Sequence, residues 1–356
     1  MSSTSRDSII IVGAGIIGLD VALVLSERGH GHSITVIAEH LPGDTSITYT
    51  SPWAGCNFSA ISGTDPSALR WDRLGYSHLT KLASERPEMS FVKKTPSIEL
   101  WDEEVPYDKI KAMSEYLEDF TILPKEQLPT GVRFGVSFTT VTLNAPNHME
   151  YLYQRLQKQY GVCFVREKIA HIQAAFSSPS TKVVFNCIGN AAITMPGVED
   201  TKCYPTRGQV VLVRAPQIRS NMMRHGKDEE TYIIPRPGSN GNAIIGGYMQ
   251  RDNGDGATYS YETTSIMDRA RRLSSELSES EPEILAVVAG LRPSREGGAR
   301  IERDKVTVAG EERVIVHNYG AGGTGFQAGY GMALDSVKSV EDILRNIHKG
   351  DAKAKL

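Results

Sequence analysis

The sequence predicts an α/β protein: a Rossmann-like dinucleotide-binding domain built from discontinuous segments, joined to a second domain built on an antiparallel sheet. Three observations predict it. The β-branched run Ser8-Ile9-Ile10-Ile11-Val12 passes directly into Gly13-Ala14-Gly15-Ile16-Ile17-Gly18, the order strand, glycine turn, helix. Near the other end of the chain, Val314-Ile315-Val316 leads into a second glycine run and a second helical pattern. Between the two, short apolar strands separated by hairpin-type turns suit an antiparallel sheet. At 356 residues the chain also exceeds the roughly 100–200 of a single domain.

Each element can be justified in order. Residues 16–28 form a helix that ends at Gly29. Gly13 permits the tight turn, Gly15 lets the backbone approach a pyrophosphate, and Gly18 lets the helix pack close to the sheet. The helix N terminus, with Ala14 and Ile16 in its first turn, offers N–H groups to phosphate. The strand Ile34-Thr35-Val36-Ile37-Ala38 ends at Glu39, 21 residues after Gly18, where an acid accepts from ribose hydroxyls. Both NAD and FAD present this half, so the motif leaves the choice open.

Residues 41–64 read as an ordered loop centred on Ser51-Pro52-Trp53-Ala54-Gly55-Cys56-Asn57. Helices over 68–84 and 108–119 follow as an insertion. The nucleotide-binding fold resumes with a helix over 148–159 and strands over 161–166 and 182–190. Strands over 210–213, 231–235 and 242–246 build the second sheet, with a hairpin turn at Pro237-Gly238-Ser239-Asn240-Gly241. Residues 219–230 are charged and turn-rich, a candidate mobile segment. The implied division gives 1–60, 138–200 and 286–356 to the dinucleotide domain, and 61–137 and 201–285 to the substrate domain.

Composition excludes several classes. A net charge of −3 with no general basic field argues against a nucleic-acid scaffold. The four cysteines, 56, 163, 187 and 203, have neither disulfide-framework nor zinc-ligand spacing, and the nine histidines are dispersed, so no metal is expected. The most apolar stretch, 9–25, is short and interrupted by Asp20, so no membrane association is expected, and the chain reads as soluble and intracellular.

The second glycine cluster is His317-Asn318-Tyr319-Gly320-Ala321-Gly322-Gly323-Thr324-Gly325-Phe326-Gln327. A nicotinamide enzyme has little need of this second helix N terminus, whereas a flavin ring held against a separate sheet does. The run 315–333 resembles the signature of the D-amino acid oxidase family. Ser51-Pro52-Trp53-Ala54-Gly55, Tyr232-Ile233-Ile234-Pro235-Arg236-Pro237 and Gly290-Leu291-Arg292-Pro293 agree with it, in forms similar to fungal members.

The resemblance implies FAD as cofactor. Hydride passes from the Cα of a D-amino acid to flavin N5, and dioxygen reoxidises the flavin to give hydrogen peroxide. It extends the expected cofactor contacts to His40, Thr45, Ser46, Gly55, Asn57, Ile169, Gly322, Gly323, Gly325, Phe326 and Gln327. It makes Arg292 the carboxylate-binding arginine, whose planar fork suits a carboxylate, and Tyr232 its partner. Gln327 falls near the substrate amino group, and Met222 over the substrate side chain. A second tyrosine of the family falls at Tyr248, but Gly246-Gly247-Tyr248-Met249 is one residue out of step, and on a strand one residue reverses the face. His317 reads as structural. No residue is expected to act as acid or base, since the chemistry is positioning.

Substrates with neutral side chains are expected. The alternatives are a D-aspartate oxidase, for which Arg224 and His225 are the candidate cations, and less strongly an NAD-dependent dehydrogenase. The terminal Ala354-Lys355-Leu356 is a conservative variant of a peroxisomal address, which implies an import receptor as partner and a peroxisomal matrix location. The oligomeric state is open between monomer and homodimer.

Overall fold

The computed structural model describes residues 8–59, 61–226 and 230–353. Its first sheet has six strands in the order Arg300–Val308, Glu311–Tyr319, Val183–Asn186, Ile9–Val12, Ile34–Ala38, Cys163–Arg166. All pairs are parallel except the first. Ile9–Val12 is central and buried on both faces, which is why it reads as an unbroken β-branched run. The helices Ile16–Glu27, Ala145–Tyr160 and Gly325–Lys338 cover one face, sharing a core that includes Leu19, Leu23, Met149, Leu152, Ala333 and Val337.

The second sheet has nine strands in two arms that share the long strand Cys203–Arg214. On one side of it, Asn242–Gly246, Glu230–Pro235, Asn221–His225, Val92–Trp101 and Phe134–Leu143 follow in order; on the other lies Glu283–Arg295. The expected hairpin is present, with Pro235 opposite Ala243. The helix Ser260–Leu273 packs on the outer face, anchored by the fully buried Arg207, whose Nη1 donates to Glu262 Oε2 at 2.9 Å.

Three expectations are corrected. The candidate mobile segment 219–230 contains the strand Asn221–His225, while its residues 227–229 lie outside the described residues. Asn221 donates to Ser97 Oγ at 2.8 Å, and the strand pairs with neighbours on both sides. The boundaries expected at 138 and 286 cut through strands of the second sheet, Phe134–Leu143 and Glu283–Arg295. The helical insertion also carries the strand Val92–Trp101, whose Pro96 hides it from a pattern reading. Pairing with Asn221–His225 begins only at Ser97, so Pro96 lies beyond that neighbour, where a missing N–H is tolerated.

Candidate active site

Two helix N termini open on one cavity of about 1010 Å³. At the first, Gly13 turns the chain at φ 105°, a conformation that favours glycine, and a Cβ on Gly18 would overlap the Gly13 carbonyl oxygen. Gly15 caps the helix Ile16–Glu27 without a side-chain hydrogen bond, which leaves first-turn N–H groups for an anion. Among the described residues only Ile16 N–H is taken by a side chain, that of Ser51, through Oγ at 3.1 Å. Gly13, Ala14, Gly15 and Ile16 line the cavity, whereas Gly18 lies behind it as a packing residue.

The second N terminus belongs to Gly325–Lys338 and also lacks a side-chain cap. Gly322, Gly323, Gly325, Phe326 and Gln327 line the cavity here. So do Glu39, at the end of its strand, and His40, Gly55, Asn57 and Ile169. Glu39 accepts from Lys168 Nζ at 3.0 Å, and His40 Nε2 lies 2.8 Å from Thr48 Oγ1.

Thr45 and Ser46 do not reach the cavity. Turns closed by Asp44 N–H to Leu41 O and Tyr49 N–H to Ser46 O fold the loop so that Thr48, Thr50 and Ser51 face inward. Thr45 lines a neighbouring cleft instead, and the Ser46 carbonyl accepts from Trp53 Nε1 at 3.1 Å. A long cavity with two uncapped helix ends, and an acid at a strand end near the first of them, is a set of donors and acceptors that fits FAD.

At the other side of the cavity, the second sheet presents Arg292 and Tyr232. Arg292 Nη2 donates to Tyr232 Oη at 3.3 Å, and Nη1 to the Tyr248 carbonyl at 3.0 Å. Among the described residues no carboxylate lies within ion-pair distance of Arg292, so its charge faces the cavity uncompensated. Small residues make the room. A Cβ on Gly208 would collide with the Arg292 guanidinium, and one on Gly246 with the Tyr232 ring. Burial pushes the Tyr232 hydroxyl above its ordinary range, with Arg292 partly opposing the shift, so it stays a neutral donor.

The choice left open between Tyr248 and Met249 is decided for Met249, and the assignment of Met222 is off by one residue. Tyr248 turns its ring away, under the Arg269 guanidinium 5.1 Å from its centroid and against the core beneath Ser260–Leu273. Its contribution is a backbone carbonyl, and Met249 lines the cavity. Likewise Met222 packs into that same core, and Met223, opposite Tyr232 in the strand register, faces the cavity. Met222 and Met223 are neighbours on the strand Asn221–His225, whose side chains alternate between faces, whereas Tyr248 and Met249 lie in the short link between Asn242–Gly246 and Gln250–Arg251.

Gln327 lines the cavity, but its amide is engaged elsewhere. Nε2 donates to Asp72 Oδ1 at 3.0 Å and Ser62 Oγ at 3.3 Å, and Oε1 accepts from Ser59 N–H at 3.2 Å. It therefore ties the helix of the first domain to the second rather than offering a free group to a substrate. His317 is structural as expected: it is buried, with Nδ1 2.9 Å from Asn186 Nδ2, and burial pushes it down to about 4.

A charged wall, of which the sequence pointed only to His225, lines the cavity beside the clamp. Trp101, Lys109, Met223, His225 and Glu230 all line the cavity. His225 Nδ1 lies 2.8 Å from Glu230 Oε2 and Nε2 lies 3.4 Å from the fully buried Glu99. Burial disfavours the imidazolium, yet the hydrogen bonds to Glu230 and Glu99 outweigh it and raise His225 to about 9. Arg224, the other cation considered for acidic substrates, pairs with Asp102 at 2.8 Å and does not line the cavity. The available signal was the two-residue spacing of Met223 with His225 and of Glu99 with Trp101, which marks strand faces.

The comparisons with known proteins agree with this geometry. Residues 8–336 match the family described as FAD dependent oxidoreductase. A D-amino-acid oxidase of Schizosaccharomyces pombe is 46% identical over 334 residues, 92% of this chain and 94% of its own length. A D-aspartate oxidase of Talaromyces thermophilus is 30% identical, covering 94% of each chain. Among solved structures, glycine oxidase from Geobacillus kaustophilus superposes with a TM-score of 0.72 at 19% identity over 95% of both chains. L-proline dehydrogenase from P. horikoshii does so with 0.72 at 15% identity, over 95% of this chain and 94% of its own, which shows a shared fold. A cavity built for FAD, the matched family and the close fungal relative coincide: the chain belongs to the D-amino acid oxidase family of FAD-dependent oxidoreductases.

Proposed function

We propose that the protein oxidises D-amino acids with neutral side chains to 2-oxo acids, releasing ammonia and hydrogen peroxide. The observation that carries this reading is the Arg292 guanidinium, facing the cavity beside the Tyr232 hydroxyl with no carboxylate partner among the described residues. A planar cation with an adjacent donor suits the α-carboxylate of an amino acid. The position of Gly323, whose Cβ would stand 3.8 Å from Arg292 Cδ, sets the carboxylate clamp against the second glycine run. When bound, FAD supplies the hydride acceptor and is reoxidised by dioxygen.

The chain's own residues then have defined tasks. Arg292 and Tyr232 fix the carboxylate and so the direction of Cα–H. Met223 and Met249 bound the side-chain space. No protein base is required at Cα, because the hydrogen leaves with its electron pair. The test is the visible spectrum of the purified holoenzyme before and after anaerobic addition of D-alanine. Bleaching of the yellow colour supports the reading, and a yellow protein that no D-amino acid bleaches would refute it.

A D-aspartate oxidase is disfavoured because Met249 and Met223 line the cavity, Arg224 is spent on Asp102, and the cations that do line it, His225 and Lys109, stand among the carboxylates of Glu230 and Glu99. Relative turnover of D-alanine and D-aspartate decides between them. Peroxisomal import through a receptor reading Ala354-Lys355-Leu356, which lies outside the described residues, completes the proposal. Peroxide production beside catalase supports it, and diffuse cytosolic fluorescence of an N-terminally tagged chain would count against it.

A further inference from the structure

The charged wall lies on the same sheet face as the carboxylate clamp, displaced along the strands. Glu230 precedes Tyr232 by two residues, about 7 Å along the strand, and faces His225 across the register as Tyr232 faces Met223. Glu99 and Trp101 stand opposite Met223 and His225 on the next strand, with the Trp101 ring stacked on the imidazole at 4.8 Å. A substrate held by Arg292 with its side chain over Met223 therefore extends toward this wall.

The wall holds more carboxylates than its hydrogen bonds answer. Glu99 receives Ser59 Oγ at 3.0 Å and His225 on Oε2, but its buried Oε1 has no partner. Glu230 shares the same single imidazolium. Asp72, behind Gln327, is a third carboxylate, pushed up to about 6 by burial against the pull of Gln327 and Ser62. Facing all three is Lys109, on the helix Tyr107–Tyr116, half-buried and lining the cavity. Among the described residues its ammonium makes no hydrogen bond or close ion pair. Burial works against its charge, while Glu99, Asp72 and Glu230 support it.

Resting on the function proposed above, we propose that Lys109 determines the charge preference of the side-chain pocket. It acts as counter-ion to Glu99, Glu230 and Asp72 rather than as a receptor for an anionic substrate. With His225 and Lys109 against three carboxylates, the wall is close to neutral and slightly negative. It accepts neutral polar side chains and rejects acidic ones. Removing the lysine charge leaves an excess of two carboxylates, which favours a cationic side chain.

The experiment compares kcat/KM for D-alanine, D-lysine and D-aspartate in the wild-type holoenzyme and in Lys109→Met, Lys109→Arg and Glu230→Gln, each checked for flavin content. The D-lysine to D-alanine ratio is expected to rise about tenfold or more in Lys109→Met. It should stay near the wild-type value in Lys109→Arg and fall in Glu230→Gln, while D-aspartate stays a poor substrate throughout. Efficient D-aspartate turnover that Lys109→Met abolishes would make Lys109 an anion receptor and overturn the proposal, as would a ratio unmoved by Lys109→Met. Should Lys109→Met not accumulate, the Glu230→Gln ratio decides alone, and an unchanged ratio there also overturns it. A yellow wild-type protein that oxidises none of the three would instead remove the functional reading beneath it.

Discussion

Replacing Arg292 by leucine removes the cation of the carboxylate clamp, and the structure sets the size of the effect. The guanidinium donates to Tyr232 Oη at 3.3 Å and to the Tyr248 carbonyl at 3.0 Å, and has no acid to neutralise it among the described residues. A substrate carboxylate in its fork gains two charge-assisted hydrogen bonds, each worth roughly 1.5–3 kcal/mol. Their loss is about 3–6 kcal/mol, or roughly 10²- to 10⁴-fold in kcat/KM. The fold should not suffer. An uncompensated, partly buried cation is exchanged for an apolar side chain, so the melting temperature is expected to hold or rise slightly. Peroxide release from D-alanine, together with the rate of anaerobic flavin bleaching, measures the first effect, and thermal denaturation of the holoenzyme the second. Arg292→Lys should remain impaired, since a point charge cannot reproduce the planar fork. A kcat/KM within threefold of wild type for Arg292→Leu, with flavin bound, would refute the assignment of the clamp.

Tyr232→Phe removes one neutral donor from the same clamp and should lower kcat/KM about tenfold, roughly 1.5 kcal/mol, with the fold intact; no change in the same assay would show that the hydroxyl does not meet the carboxylate. Gly18→Val places atoms into the Gly13 carbonyl. It should cost about 1–3 kcal/mol of packing strain, seen as a lower melting temperature and reduced flavin content; full occupancy at an unaltered melting point would contradict the close packing. His225 gives a pH dependence. Its folded value, about 9, lies above the ordinary 6.5, so its stabilisation is complete below pH 6.5 and is lost as pH rises through about 9. That corresponds to roughly 3 kcal/mol. Urea unfolding of the holoenzyme at pH 6.5, 7.5 and 9.5 should show the decline, and His225→Gln should flatten it; equal stability across this range in the wild type would rule out the buried imidazolium.

Parts of the site were legible because their signals are local. The turn at Gly13 to Gly18 needs a positive φ and a close helix approach within six residues, and the run around Gly320 to Gly325 repeats the arrangement. Each announces itself without knowledge of the rest of the fold. Arg292 and Tyr232 were found through segments whose resemblance spans several residues at once. Beyond His225 the charged wall was not legible, because Glu99, Lys109, His225 and Glu230 come from four elements that only the second sheet and its flanking helix bring together. Asn221–His225 was obscured by its own charges, which are answered by Asp102, Glu99 and Glu230 rather than by water.

By itself, then, the sequence determined the two helix N termini and the acid at Glu39, features of short stretches whose conformation is set by glycine, β-branching and spacing. FAD as the cofactor and Arg292 with Tyr232 as the carboxylate clamp came instead from resemblance to a family, carried by longer runs of matching residues. The tertiary structure alone decided which of two adjacent side chains faces the substrate: Met223 over Met222, and Met249 over Tyr248. For Met222 and Met223 a strand's composition shows that its faces alternate, but which face meets the cavity depends on register with distant partners; Tyr248 and Met249 lie in a link between strands, whose course only the packing around it fixes. The same register sets Glu230 and His225 side by side on the cavity wall with Glu99 buried behind them, and the helix Tyr107–Tyr116 adds Lys109.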